Sequence, residues 1–367
     1  MKKWIRSTFL GLTFALGANL SAGTLFFGAY PNSLLVFDEA QGKVVDRIML
    51  ETGLPTSIRL SQDKKKIYVT TNDHAGLEVV DVATHKVLRH LVLNNGPRRY
   101  RFNGGVADAN DKLFYTITTE ITKGVDRFEI SKPRYTVIDL EQGKIVKAIE
   151  VSKEDENAVA GGGGGRNGGF DISPDGKFLY QFREAVVVLN SEDFKVVDRI
   201  DLAKPELPGM EAIGFGGLLD SIDQPGERVT VFNSSDPVVH NRLFGIAKFD
   251  LATRKMEYAP IGPAPAAMSG LQVAPDKKSA WVVVSTGLQG NKRCEFWAFD
   301  MPSKRITQTQ EIPCRSRFSF GMSADGKKLY IYGAGFEFDV YDAATLKFEK
   351  TWDTNNDITG AGLVVIP

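Results

Sequence analysis

The chain has 367 residues and carries 45 Lys plus Arg against 45 Asp plus Glu, so it is formally neutral. With 43% hydrophobic and 25% charged residues it has a globular composition, which excludes a disordered chain and a broadly basic nucleic-acid-binding surface. Two cysteines exclude a disulfide-dense scaffold and a four-cysteine metal site, while 36 Gly and 16 Pro suit many short strands joined by tight turns.

Residues 1–22 read as a signal peptide. Met1 to Arg6 is basic, Ser7 to Leu20 is mostly apolar, and Leu20-Ser21-Ala22 offers small residues for cleavage. The pattern is that of a bacterial Sec-type leader and predicts a periplasmic or secreted protein. Removing it leaves 42 basic against 45 acidic residues. No later run is long and apolar enough for a membrane span. Residues 23–367 are read as one domain.

An internal repeat sets the predicted fold. An apolar residue, then Asp or Asn, then a basic residue five positions on, occurs at Asp38/Lys43, Asp81/Lys86, Asp139/Lys144, Asn190/Lys195, Asp250/Lys255, Asp300/Arg305 and Asp342/Lys347. Successive anchors lie 43, 58, 51, 60, 50 and 42 residues apart, a period suited to four-stranded propeller blades. At each anchor a β-rich run ends on a short polar side chain able to bond the following turn, and a second strand begins near the basic residue.

A second hairpin precedes most anchors. Ser173-Pro174-Asp175-Gly176-Lys177-Phe178-Leu179-Tyr180 has relatives at Ser61–Tyr68, Ala274–Trp281 and Ser323–Tyr330, each with a tight turn and then an aliphatic–aromatic pair expected to pack between sheets. Two hairpins make one blade. Six complete copies run from about residue 54 to 354, and the tail Leu363–Ile366 is predicted to add the inner strand missing from the first hairpins. The predicted fold is therefore an all-β, seven-bladed β-propeller whose last blade is closed by N- and C-terminal strands. A stack of β-sandwich domains explains neither the doubled hairpin nor the split blade.

This topology puts the short repeated turns on one face and the irregular segments Thr119–Pro133, Glu154–Gly169, Asn233–Arg242 and Thr286–Lys292 on the other. Variable loops on a rigid scaffold are where binding is expected. Arg98, Arg99, Arg101, Arg166, Arg315 and Arg317 recur in loops before inner strands. They are candidates to converge on the axis and bind a carboxylate, a phosphate or an acidic partner, or else to pair with nearby acids. Asp73, His74 and His240 sit in loops of the same face and are weaker candidates for ligand binding. No haem-attachment, zinc-protease or nucleophile-elbow motif occurs. The run Gly161–Gly165 lacks the Lys-Ser/Thr pair of a phosphate loop. No catalytic residue or metal ligand set is assigned. Cys294 and Cys314 flank the hairpin centred on Met301–Lys304. They are read as one disulfide after export, with two buried thiols as the alternative.

Lys66-Ile67-Tyr68-Val69-Thr70-Thr71-Asn72 resembles the tyrosine-valine-threonine-asparagine class of bacterial propellers. Arg127-Phe128-Glu129-Ile130-Ser131-Lys132-Pro133-Arg134-Tyr135 is similar to the second-blade segment of the β subunit of quinohemoprotein amine dehydrogenase, and Asp325 through Leu346 to that subunit's last full blade. The resemblance implies a non-catalytic, cofactor-free scaffold subunit. Its partners would be a dihaem cytochrome c subunit, carrying haem c, and a small subunit carrying cysteine tryptophylquinone. The alternative is a free-standing propeller that binds a small ligand or protein at the cell envelope.

Overall fold

The computed structural model describes residues 23–73, 75–102, 104–155, 170–182, 185–202, 212–215, 226–236, 238, 242–287, 289–315, 317–333 and 335–367. They build seven antiparallel sheets, blades I to VII, which form the seven-bladed propeller that the repeat predicts. Blade II is a simple example, running from inside to outside through Pro55–Leu60, Lys66–Thr71, Gly76–Asp81 and Val87–Val92. Blades III to VII begin with the inner strands Val106–Ala107, Asp171–Ile172, Ala212–Phe215, Gln272–Val273 and Ser319–Met322.

Blade I joins the two ends of the chain. Its order is Lys43–Met49, Ser33–Asp38, Thr24–Ala29 and then Ile358–Ile366. Leu25 pairs with Val365 and Phe27 with Leu363. The C-terminal strand also contacts Pro55–Leu60 of blade II and Ser319–Met322 of blade VII, so the inner strands follow one another around the axis. Closing the ring in this way pairs strand edges that would otherwise be open.

Alternation along the strands produces the core. Successive side chains of a strand point to opposite faces. Leu25 and Phe27 face blade VII, in a cluster with Phe338 and Trp352. Phe26 faces the other way, in a cluster with Ile58, Ile67 and Val69 of blade II. Similar apolar layers separate the remaining blades. The aromatic that ends the second-strand motif fills such a layer and sends its polar tip to the next blade. Tyr180 Oη donates to Leu251 O at 2.6 Å, Trp281 Nε1 to Ala343 O at 3.1 Å, and Tyr330 Oη to Glu39 Oε1 at 2.7 Å.

The seven anchors all perform the same local task. Asp81 Oδ1 accepts the Thr84 N–H at 2.7 Å, and Asp38, Asp139, Asn190, Asp250, Asp300 and Asp342 make equivalent turn bonds. Four residues after each anchor the chain takes positive φ, at Gly42, His85, Gly143, Phe194, Arg254, Lys304 and Leu346, with values from 55° to 66°. Only two of the seven are glycine, so the surrounding strand pairing holds ordinary residues in a conformation they rarely adopt. His85 is one of them. Its Nδ1 lies 2.8 Å from Asp46 Oδ2 and its ring packs edge-on against Phe26, which gives it a structural place.

Cys294 and Cys314 form the disulfide, with Cα atoms 5.2 Å apart. Cys294 pairs with Ile312 across the hairpin, so the bridge staples the outer strand of blade VI where it leaves the sheet. Such bonds form and persist in oxidising compartments. Among the described residues no helix is long and apolar enough to cross a membrane.

Candidate functional site

Two features rise above the repeated scaffold: an arm on blade III and an ion cluster at the axis. The arm comes from one overlong strand. Leu113–Lys123 has 11 residues, about twice the length of its counterpart in blade II. Its first half pairs with Val106–Ala107 and Arg134–Asp139 inside the blade. Its second half continues past the blade and pairs with Arg98–Arg101 on one side and Phe128–Ile130 on the other. The segment Thr119–Pro133, expected from sequence to be an irregular loop, is thus mostly a regular hairpin, turned by the Gly124 N–H donating to Arg127 O at 2.8 Å.

Register sorts the arm's side chains into two faces. Tyr100 lies opposite Glu120, and Thr122 lies between Arg98 on one side and Glu129 on the other. This face is internally paired, because Glu120 meets Arg98 and Arg134, each at 3.5 Å. The other face carries Ile121 between Arg99 and Ile130, Arg101 opposite Thr119, and Lys123 opposite Phe128. Phe128 is 65% exposed and Ile130 70% exposed. The row Arg99, Arg101, Lys123, Phe128, Ile130 combines apolar surface with positive charge and has no acidic residue among its strand positions.

The axial cluster joins three blades. Asp171, on the inner strand of blade IV, is buried at 5% exposure. Arg228 of blade V grips its carboxylate at two points, Nε to Oδ2 and Nη2 to Oδ1, both 2.7 Å. Arg59 of blade II meets the same Oδ1 and donates from Nη1 to Phe170 O at 2.7 Å. Burial alone would raise the Asp171 carboxyl. The charges of Arg228 and then Arg59 overcome that and hold it far below the usual carboxylate range. The cluster borders a small cavity, open to solvent, which also touches Ser61, Pro174, Gly226 and Leu251. Those residues belong to the short repeated turns, so this cavity lies at the end of the channel opposite the arm.

The sequence candidates fall in several places. Arg99 and Arg101 stand on the exposed face of the arm, where Arg99 also donates to Gly96 O at 2.7 Å. Arg98 is on the opposite face with Glu120. Arg315 pairs with Glu337 at 3.0 Å and Asp339 at 2.7 Å in blade VII, and Arg317 is exposed beside it in sequence. Asp73 accepts the Leu54 N–H at 3.2 Å and braces the turn at Gly53. Arg166, His74 and His240 lie outside the described residues, as do residues 1–22 and Gly161–Gly169. Among the described residues no group of three His, Cys, Asp or Glu is arranged to hold a metal ion.

Sequence reasoning missed Arg59, Asp171 and Arg228. The available signal was a charge inside an apolar inner strand: Arg59 between Ile58 and Leu60, and Asp171 between Phe170 and Ile172. Inner strands face the axis, so such charges must meet one another or the channel.

No family model matches the chain, and no curated protein matches it. Several solved structures do. Apo AztD from Citrobacter koseri aligns with a TM-score of 0.53 at 12% identity, over 95% of this chain and 98% of its own. A functionally unknown protein from Desulfotomaculum acetoxidans aligns with a TM-score of 0.55 at 13% identity, over 94% and 99%. The dihydro-heme d1 dehydrogenase NirN aligns with a TM-score of 0.51 at 14% identity, over 94% of this chain and 76% of its own. At such identities the likeness is one of fold. The class it defines, together with the blades, is the seven-bladed β-propeller.

Proposed function

We propose that the chain is a periplasmic scaffold propeller that makes no bonds to substrate itself and docks a protein partner through the blade III arm. The observation that carries this reading is the arm's outer face, where Phe128 and Ile130 stand exposed beside Arg99, Arg101 and Lys123. Exposed apolar side chains on a protruding sheet are costly to leave in water and mark interaction surfaces. The flanking positive charge favours a partner that presents acidic groups. Phe128–Ile130 is also an edge strand, with backbone groups available for pairing.

The finer reading makes the partners those of an amine dehydrogenase-like complex: a dihaem cytochrome c subunit and a small subunit bearing cysteine tryptophylquinone. The resemblance of Arg127–Tyr135 supports it, since that segment contains Phe128 and Ile130 of the arm. Haem and quinone would then belong to the partners. Affinity purification from the native periplasm tests this. A haem absorption band and a redox-active quinone protein should co-purify. Recovery of neither, across several salt concentrations, removes the finer reading.

One observation favours a second reading, a free-standing propeller that binds a small anion. Arg59 and Arg228, both bound to Asp171, border the axial cavity and place guanidinium groups beside it. Asp171 already occupies hydrogen-bonding edges of both guanidinium groups, which is why the arm carries the first reading. Calorimetric titration with small dicarboxylates would distinguish them.

A further inference from the structure

Gly23, the first described residue, is buried, although it adjoins the proposed cleavage point. Its N–H donates to Glu39 Oε2 at 2.8 Å, and its carbonyl accepts the Glu39 N–H at 3.1 Å. No side chain fits there. A Cβ at this position would lie 2.3 Å from Ala324 Cβ and 2.6 Å from Ile366 O. Glu39 Oε2 also accepts the Ala324 N–H at 3.3 Å, and Oε1 accepts the Tyr330 hydroxyl at 2.7 Å.

Glu39 is thus a largely enclosed carboxylate surrounded by neutral donors. Among the described residues no basic side chain makes an ion pair with it, and Asp325 adds like charge nearby. Burial raises its carboxyl above the ordinary range, with the three hydrogen bonds working the other way. A buried carboxylate without a cation is a costly arrangement. The nearest nitrogen is the one that processing would convert into a cation.

From this geometry we infer that Glu39 is the receptor for the α-ammonium group created at Gly23 when the Ala22–Gly23 bond is cleaved, so that processing locks the seam between blades VII and I. The inference rests on the export reading. The step is a hydrolysis by an export peptidase that cuts after small residues. Water's hydroxyl joins the Ala22 carbonyl carbon as the C–N bond breaks, its hydrogen goes to the Gly23 nitrogen, and the resulting amine takes a proton from solvent. A neutral donor to Glu39 then becomes a charged one at the same place. The carboxylate, which until then has only neutral donors, gains an opposite full charge, and an opposite charge at hydrogen-bond distance favours its ionised form. Through Glu39 the new terminus is tied to Ala324 and Tyr330 of blade VII, beside the strand Ile358–Ile366 that closes the ring.

The test uses the product exported from the full-length gene. N-terminal sequencing should show a chain that begins at Gly23. Acylation of its α-amine at neutral pH, read by mass spectrometry of the N-terminal peptide, should be at least about tenfold slower in the folded protein than in urea, as for a buried charge-assisted contact. The isosteric Glu39→Gln variant keeps the enclosure but removes the charge, so most of that protection should disappear. Glu39→Asp, which retains the charge on a shorter arm, gives a second comparison if the first variant folds poorly, and it too should lose protection. A chain that still begins at Met1 contradicts the export reading. A processed chain that starts elsewhere, an amine labelled equally fast folded and unfolded, or full protection in the variants overturns the latch alone.

Discussion

Arg228 holds Asp171 through two parallel hydrogen bonds of 2.7 Å, and Arg59 approaches the same carboxylate from blade II. One buried acid thereby ties together blades II, IV and V across the axis. The ring gains a cross-brace at the centre.

Asp171→Asn should therefore destabilise the fold by about 3–5 kcal/mol, because it leaves two guanidinium groups close together without their carboxylate. Urea denaturation of the variant against wild type measures it. A loss of under about 1 kcal/mol, the size of an exposed surface pair, would contradict this role.

The same carboxylate predicts an acid limb. Its folded-state titration lies below the ordinary range near 3.9, so its contribution is fully present above that pH and is lost as the pH falls below about 4. Stability measured between pH 6 and 2 should fall more steeply for wild type than for Asp171→Asn. Equal slopes would refute the assignment.

The disulfide closes a separation of 20 residues. Reduction, or replacing both cysteines by serine, should cost about 3 kcal/mol on the loop-entropy account. Thermal melts with and without reductant check it. Peptide mapping that finds both thiols freely alkylated in the exported protein would contradict the bond itself.

Removing Ile358–Ile366 should expose the paired edge of Thr24–Ala29 and leave blade I with three strands. Aggregation or a large drop in melting temperature is expected. A monodisperse product with an unchanged melt would contradict the closure.

The repeating part of the fold was legible because each blade solves the same local problem. Asp38 and its six equivalents bond their own turns, so the signal is short-range and survives in one sequence. The shared blade was legible as well, since Leu363–Ile366 is an apolar strand with no partner nearby in the chain. The arm was not, because Leu113–Lys123 pairs with different neighbours along its two halves and matches no other repeat. The Arg59–Asp171–Arg228 cluster was hidden for a related reason. Its members lie 112 and 57 residues apart, and only ring closure brings them together.

Docking of a partner on the arm is decided by comparing two sets of substitutions. Phe128→Asp, Ile130→Asp, Arg99→Ala and Arg101→Ala would be combined in one exported protein, with Lys43→Ala, Lys195→Ala and Lys347→Ala on the repeated-turn face as the control. Binding of the native haem-bearing partner would be measured for both by calorimetry, alongside melting temperature. The arm set should weaken binding by at least about a hundredfold, as expected when apolar anchors at an interface become charged, while the melt stays within a few degrees. The control set should leave binding unchanged. Loss of binding with the control set and not with the arm set would contradict docking through the arm.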